Sequence, residues 1–146
     1  MNFTPYALAL ASQELRDAAL LLRTSRFPVT NFLLFAMSIE LGLKAAVLNR
    51  DNTQQMKDRL KGQVGHDLLK ANEEYESATA STLFNTADEV ALQKLNRFFK
   101  GKHLEYFTVV MIEAMYQAFA GFPPLDEIAE CSRKVSEMLA GQNNFL

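Results

Sequence analysis

Phe32-Leu33-Leu34-Phe35-Ala36-Met37-Ser38-Ile39-Glu40-Leu41-Gly42-Leu43-Lys44-Ala45-Ala46-Val47-Leu48 is the stretch that decides the fold. A helix apolar on every side is normally enclosed by other helices, which predicts an all-α bundle with this element at its centre. Glu40 and Lys44 are out of place on such a helix. Charges there are costly unless paired, and the four-residue spacing puts the carboxylate one turn before the ammonium, the favourable order for an ion pair. The same two charges argue against a membrane span, where they would be expensive in lipid.

Working outward, Thr4-Pro5 sets a capping residue before a proline at the first helical position, and Leu8, Ala11, Leu15, Ala18 and Leu22 then form one stripe. This first helix is expected to stop near Thr24-Ser25, where Phe27-Pro28 turns the chain into the central helix for antiparallel packing. From Arg50 to Gly65 the chain is polar without a sustained apolar period and reads as a loop, with a short helical turn near Met56 to Leu60. Asp67, Leu68, Leu69, Ala71 and Tyr75 open a third helix. Thr86 with Glu89 forms a capping box for a fourth, striped by Leu92, Leu95, Phe98 and Phe99 and ended by Gly101. The β-branched run Phe107-Thr108-Val109-Val110-Met111-Ile112 reads as a short extended segment over 107–112 or the front of a buried helix. After Pro123-Pro124, the spacing of Leu125, Ile128, Ser132, Val135 and Leu139 gives a last amphipathic helix, with Asp126 and Glu127 in its first turn. The expectation is one domain over 1–146, an up-and-down bundle of four to five helices.

Composition limits the function classes. With 146 residues, 49% apolar, the chain can bury a real core. A net charge of −2 gives no global basic footprint, so nucleic-acid contact would need a local patch. One cysteine, Cys131, makes no internal disulfide, and with two histidines it makes no recognised zinc set, so no metal or cofactor is expected. The start, Met1-Asn2-Phe3-Thr4-Pro5, lacks the pattern of a secretory signal, and the expected compartment is the cytoplasm.

Three features taken together resemble the HEPN superfamily of small prokaryotic helical domains: Ile39-Glu40-Leu41-Gly42-Leu43-Lys44-Ala45, then Gly65-His66-Asp67-Leu68, then an aromatic-rich later element. The resemblance runs from about Tyr6 to about Tyr106. It implies a HEPN-like bundle that forms a homodimer. It also implies one of two functions, since members include metal-independent ribonucleases of toxin and defence systems as well as non-catalytic copies that bind or dimerise.

The ribonuclease signature of that superfamily is an arginine followed a few residues later by a histidine. Arg97 and His103, five residues apart in between, fit it, and so do Arg59 and His66, with six between. Position favours Arg97 and His103, because Arg97 lies late in a well-patterned helix and Arg59 in the polar linker. The chemistry fits those residue types. Histidine supplies a proton shuttle near neutral pH, and arginine a permanent cation for the charge that develops on phosphorus. Lys100 and Lys102 add local positive charge for a phosphate. The spacer departs from the family pattern at Phe98 and Gly101, which leaves a basic helix end complementing the dipole as the other use of these residues.

Glu40, Lys44 and His66 are further candidates for binding substrate. Their plainer uses are a buried structural pair for the first two, and helix capping or core hydrogen bonding for His66. Phe98, Phe99, Tyr106 and Phe107 lie among the lysines and could stack bases or pack the core. The leading expectation is an RNA-cleaving HEPN-like dimer using Arg97 and His103. The alternative is a non-catalytic copy that binds a nucleotide, an RNA or a partner such as a nucleotidyltransferase-type antitoxin. A third class is a helical scaffold, which would leave an exposed apolar patch from Leu125 to Leu139.

Overall fold

The structure, a computed structural model, describes residues 3–22, 29–100 and 121–142. Among these residues there are six α-helices and no strand. They are α1 (Pro5–Leu21), α2 (Val29–Arg50), α3 (Gln54–Arg59), α4 (Leu68–Thr79), α5 (Thr86–Lys100) and α6 (Leu125–Ala140), with a π-helical turn, Leu60–Val64, continuing α3. The expected all-α bundle is therefore what the chain forms. The run over 107–112 and the helix end at Gly101 lie outside the described residues.

Helix α2 is the axis. It is buried all round, including Phe35, Ile39, Leu43, Ala46 and Val47 at 0% exposure. By length and composition it could cross a membrane, but 83% of its most apolar window is enclosed within the bundle. Polar ties fix its neighbours, two to each. Asn31 Nδ2 donates to Ala19 O at 2.9 Å, and Ser12 and Ser38 exchange hydroxyl-to-carbonyl bonds at 2.6 and 2.8 Å, so α1 runs antiparallel to α2. Ser132 Oγ lies 3.3 Å from Ser38 Oγ, and Asn49 Nδ2 donates to Gln142 Oε1 at 3.2 Å, so α6 runs parallel to it. Gly42 permits this close approach: a Cβ there would lie 2.2 Å from Val135 Cγ1 and 2.8 Å from Ser12 Oγ.

Local signals act as the sequence suggests at some helix ends and one step off at others. Thr4 Oγ1 accepts from Ala7 N at 3.3 Å, and Pro5 opens α1. The buried face of α1 is Leu8, Ala9, Ser12 and Ala19, whereas Leu22, which spacing assigned to the stripe, is 42% exposed and lies outside that face. A hydroxyl at Ser12 broke the apolar pattern, yet its bond to Ser38 lets it sit in the core. The capping box of α5 is Asn85 with Asp88, each side chain accepting from the other's N–H at 2.9 Å. Thr86 is the first helical residue rather than the cap.

The helical turn expected near Met56 to Leu60 is present but extends in both directions, from Gln54 to Val64, so most of the linker is helix and not loop. Thr53 caps α3, its Oγ1 accepting from Met56 N at 3.2 Å, and Asp51 Oδ1 accepts from Thr53 N. Leu60 and Val64 are buried and pin the segment to the core. The last helix matches its expected stripe, with Ile128, Ser132, Val135 and Leu139 buried. Burial of these residues overturns the scaffold reading, because the apolar face from Leu125 to Leu139 packs inside the bundle.

Candidate functional site

The two charges of α2 are brought together with His66. Lys44 Nζ donates to Glu40 Oε1 at 2.5 Å and to Gly65 O at 2.6 Å, and both side chains of the pair are under 5% exposed, at 4% and 3%. The second carboxylate oxygen, Glu40 Oε2, is 3.1 Å from His66 Nδ1. Both oxygens of Glu40 are thus engaged, which offsets the cost of burying the charge. His66 is 49% exposed, and its ring meets Phe99 edge-on at 5.9 Å.

Backbone geometry builds this arrangement. The π-turn closes with Gly65 N donating to Leu60 O at 3.1 Å, and Gly65 then takes φ 55° and ψ −130°, a conformation open to glycine and strained for other residues. That rotation presents its carbonyl to Lys44. Asp67, not His66, caps α4, its Oδ1 accepting from Leu69 N at 3.1 Å and Lys70 N at 3.2 Å. Relieved of capping, His66 is available to Glu40.

Helix α5 is locked onto the same corner. Leu68 N donates to Asn96 Oδ1 at 2.8 Å, Asn96 Nδ2 donates to Asp67 Oδ1 at 3.0 Å, and Lys100 Nζ lies 3.3 Å from Asp67 Oδ2. Burial pushes the Asp67 carboxyl up, but the hydrogen bonds from Lys70 N–H, Asn96 and Lys100 together outweigh it and hold the group below the ordinary carboxylate range.

A cavity of about 320 Å³ opens beside His66. Phe3, Met37 and Leu41 form its apolar wall, and Glu40, Lys44, Lys61 and His66 its polar side. Lys61 Nζ sits 4.7 Å from the centre of the Phe3 ring, a cation–π contact. Lys61 and Phe3 carried no signal of function in the sequence. What could have found Lys61 is the spacing of Met56, Leu60 and Val64, four residues apart, which marks this stretch as a packed helix and not a loop.

The remaining candidates separate. Arg59 pairs with Glu74 at 2.5 Å and lines clefts on another side, so it does not join His66. Arg97 is exposed on α5, one residue from Asn96, and Lys100 is paired with Asp67. His103 and Lys102 lie outside the described residues, as do Tyr106 and Phe107. Phe99 is buried, and Phe98 stacks on Phe122 at 4.0 Å, so both serve packing. Cys131 is buried against Asp88, and burial first, then the Asp88 charge, pushes its thiol up to about 12, which makes it inert. No group of ligands fit for a metal ion occurs among the described residues. Compared with protein-family models, curated proteins and solved structures, the chain finds no match.

Proposed function

We propose that this chain is a HEPN-like, homodimeric, cytoplasmic module acting on RNA, a metal-independent endoribonuclease with Arg97 and His103 as its cleavage pair. The observation that carries the reading is the corner where the last turn of α5 docks on the start of α4, Lys100 lying 3.3 Å from Asp67 and Phe99 meeting the His66 ring edge-on, with Arg97 exposed on the same turn. Lys100 there is paired with Asp67, so in a chain whose net charge is −2 the cation left for a phosphate on this helix end is the exposed Arg97. In the proposed step a histidine takes the proton of a ribose 2′-hydroxyl, and the 2′-oxygen attacks phosphorus. The 5′-oxygen then leaves with a proton returned by an acid, giving a 2′,3′-cyclic phosphate and a 5′-hydroxyl. Arg97 would hold the charge on the equatorial oxygens.

One observation favours a second reading, a non-catalytic module that binds a nucleotide, RNA or a nucleotidyltransferase-type partner. Among the described residues, the histidine fixed by a buried carboxylate is His66, and the buried polar cluster belongs to Glu40 and Lys44 rather than to α5.

The test is cleavage of a labelled structured RNA in excess EDTA by the wild type and by folded Arg97→Ala and His103→Ala variants. Cleavage with cyclic-phosphate ends, lost in both variants, is the expected result. An intact RNA panel, or cleavage unchanged in both variants, refutes the nuclease and leaves the binding module.

A further inference from the structure

The cavity beside His66 goes beyond that reading, because its chemistry needs neither Arg97 nor His103. Its carboxylate does not face a ligand as an open charge. One oxygen of Glu40 receives Lys44 and the other meets His66 Nδ1, so the negative charge is spent within the protein. The cations are less spent. Lys44 donates to Glu40 and Gly65 O, which leaves one of its three N–H donors, and Lys61 is exposed with its ammonium against Phe3. His66 keeps its second ring nitrogen, Nε2, which donates to an anion when the imidazole carries both protons. Two lysines against one carboxylate make the polar side net positive before the imidazole is counted.

The opposite wall is apolar, made by Phe3, Met37 and Leu41. A volume of about 320 Å³ stands at the small end of ligand pockets and admits one ring system with a head group. Glu40 and Lys44 are built into the site rather than laid on the surface, at 2% and 4% exposure. We propose that this cavity is a binding site for a small organic anion, a flat apolar body carrying a phosphate or carboxylate head. The head lies between Lys61, His66 and the free donor of Lys44, and the body lies against Phe3, Met37 and Leu41.

Titration calorimetry on the full chain tests it with four probes: phenyl phosphate, benzoate, inorganic phosphate and benzyl alcohol. One or both of the first two should saturate a single site at millimolar concentration or below, and which of them binds identifies the head group. Inorganic phosphate, the head alone, and benzyl alcohol, the body alone, should bind at least about tenfold more weakly. Lys61→Glu, at an exposed position, should weaken binding by about tenfold or more with unchanged thermal melting, and His66→Ala should weaken it as much while lowering the melting temperature without unfolding the chain, because Glu40 loses a partner. Arg97→Ala and His103→Ala should bind as the wild type does, so loss of RNA cleavage and loss of this site are read separately. Failure of both organic anions to saturate, benzyl alcohol binding as well as they do, or binding indifferent to both Lys61→Glu and His66→Ala would each overturn the proposal.

Discussion

Replacing Glu40 by leucine should destabilise the protein far more than replacing Glu40 and Lys44 together. In the single variant the Lys44 ammonium, 4% exposed, keeps only the Gly65 carbonyl as a partner. Stranding one member of a buried pair costs about 3–5 kcal/mol, whereas exchanging both for apolar residues of similar volume is often neutral or stabilising. Lys44→Met should fall at or below the lower end of that range, because Glu40 retains His66 at 3.1 Å. A Glu40→Leu/Lys44→Met double variant should come within about 1 kcal/mol of the wild type or exceed it. Urea unfolding followed by circular dichroism reads this directly. With a slope of about 2 kcal/mol/M, a loss of about 4 kcal/mol lowers the midpoint by roughly 2 M. Additive costs in the double variant, or a single-variant loss below about 1 kcal/mol, would mean that water reaches the pair, and the account of a desolvated ion pair would fall.

Asp67 gives a prediction in pH. Its carboxyl is held below the ordinary carboxylate range, so its contribution to stability is present above that range and is lost as pH falls through the lower folded value. Asp67→Asn keeps an N-cap oxygen but removes the charge, and should flatten the acid side of the stability profile below about pH 4 while costing about 1 kcal/mol at neutral pH, measured by urea midpoints across the range. An acid limb as steep as that of the wild type would place the titrating group elsewhere. Gly42→Ala should cost about 1–3 kcal/mol in the same assay, because the new methyl meets Val135 Cγ1 at 2.2 Å and α2 and α6 must part. An unchanged midpoint would show that the contact relaxes freely.

Legibility in the sequence followed chemical type. The apolar run from Phe32 to Leu48 gave the central helix and its burial, and the four-residue spacing of Glu40 and Lys44 gave the ion pair found at 2.5 Å. The stripe of Leu125, Ile128, Ser132, Val135 and Leu139 gave α6. What escaped were polar residues made buriable by a distant partner. Ser12 is 26 positions from Ser38 and Asp67 is 29 from Asn96, and no local period reports such pairs. The helical length of the linker is hidden for a related reason. Its polar surface dominates the count, while burial of Leu60 and Val64 alone suffices to hold a helical turn. Of the two plain uses expected of His66, capping and hydrogen bonding to the core, the second is the one found: Asp67 fills the cap, which leaves the imidazole for Glu40.

The costs built into this bundle are not spread evenly. A buried ion pair is seldom more stable than an apolar replacement. A π-turn gives up α-helical regularity and is found often at functional positions. Glycine with positive φ gives up conformational entropy that another residue would save. Here all three meet: Glu40 and Lys44 from α2, the turn Leu60–Val64, and Gly65 at φ 55°. They meet around one cavity, and the Gly65 carbonyl joins the backbone device to the charged one by accepting from Lys44 at 2.6 Å. Elsewhere in the described chain, the buried Ser12, Ser38 and Ser132 tie helix to helix. Stability alone would favour leucine at position 40 and methionine at 44. The arrangement makes sense as a means of holding the His66 imidazole by one nitrogen while its ring faces solvent, which is what a group that must meet a ligand requires.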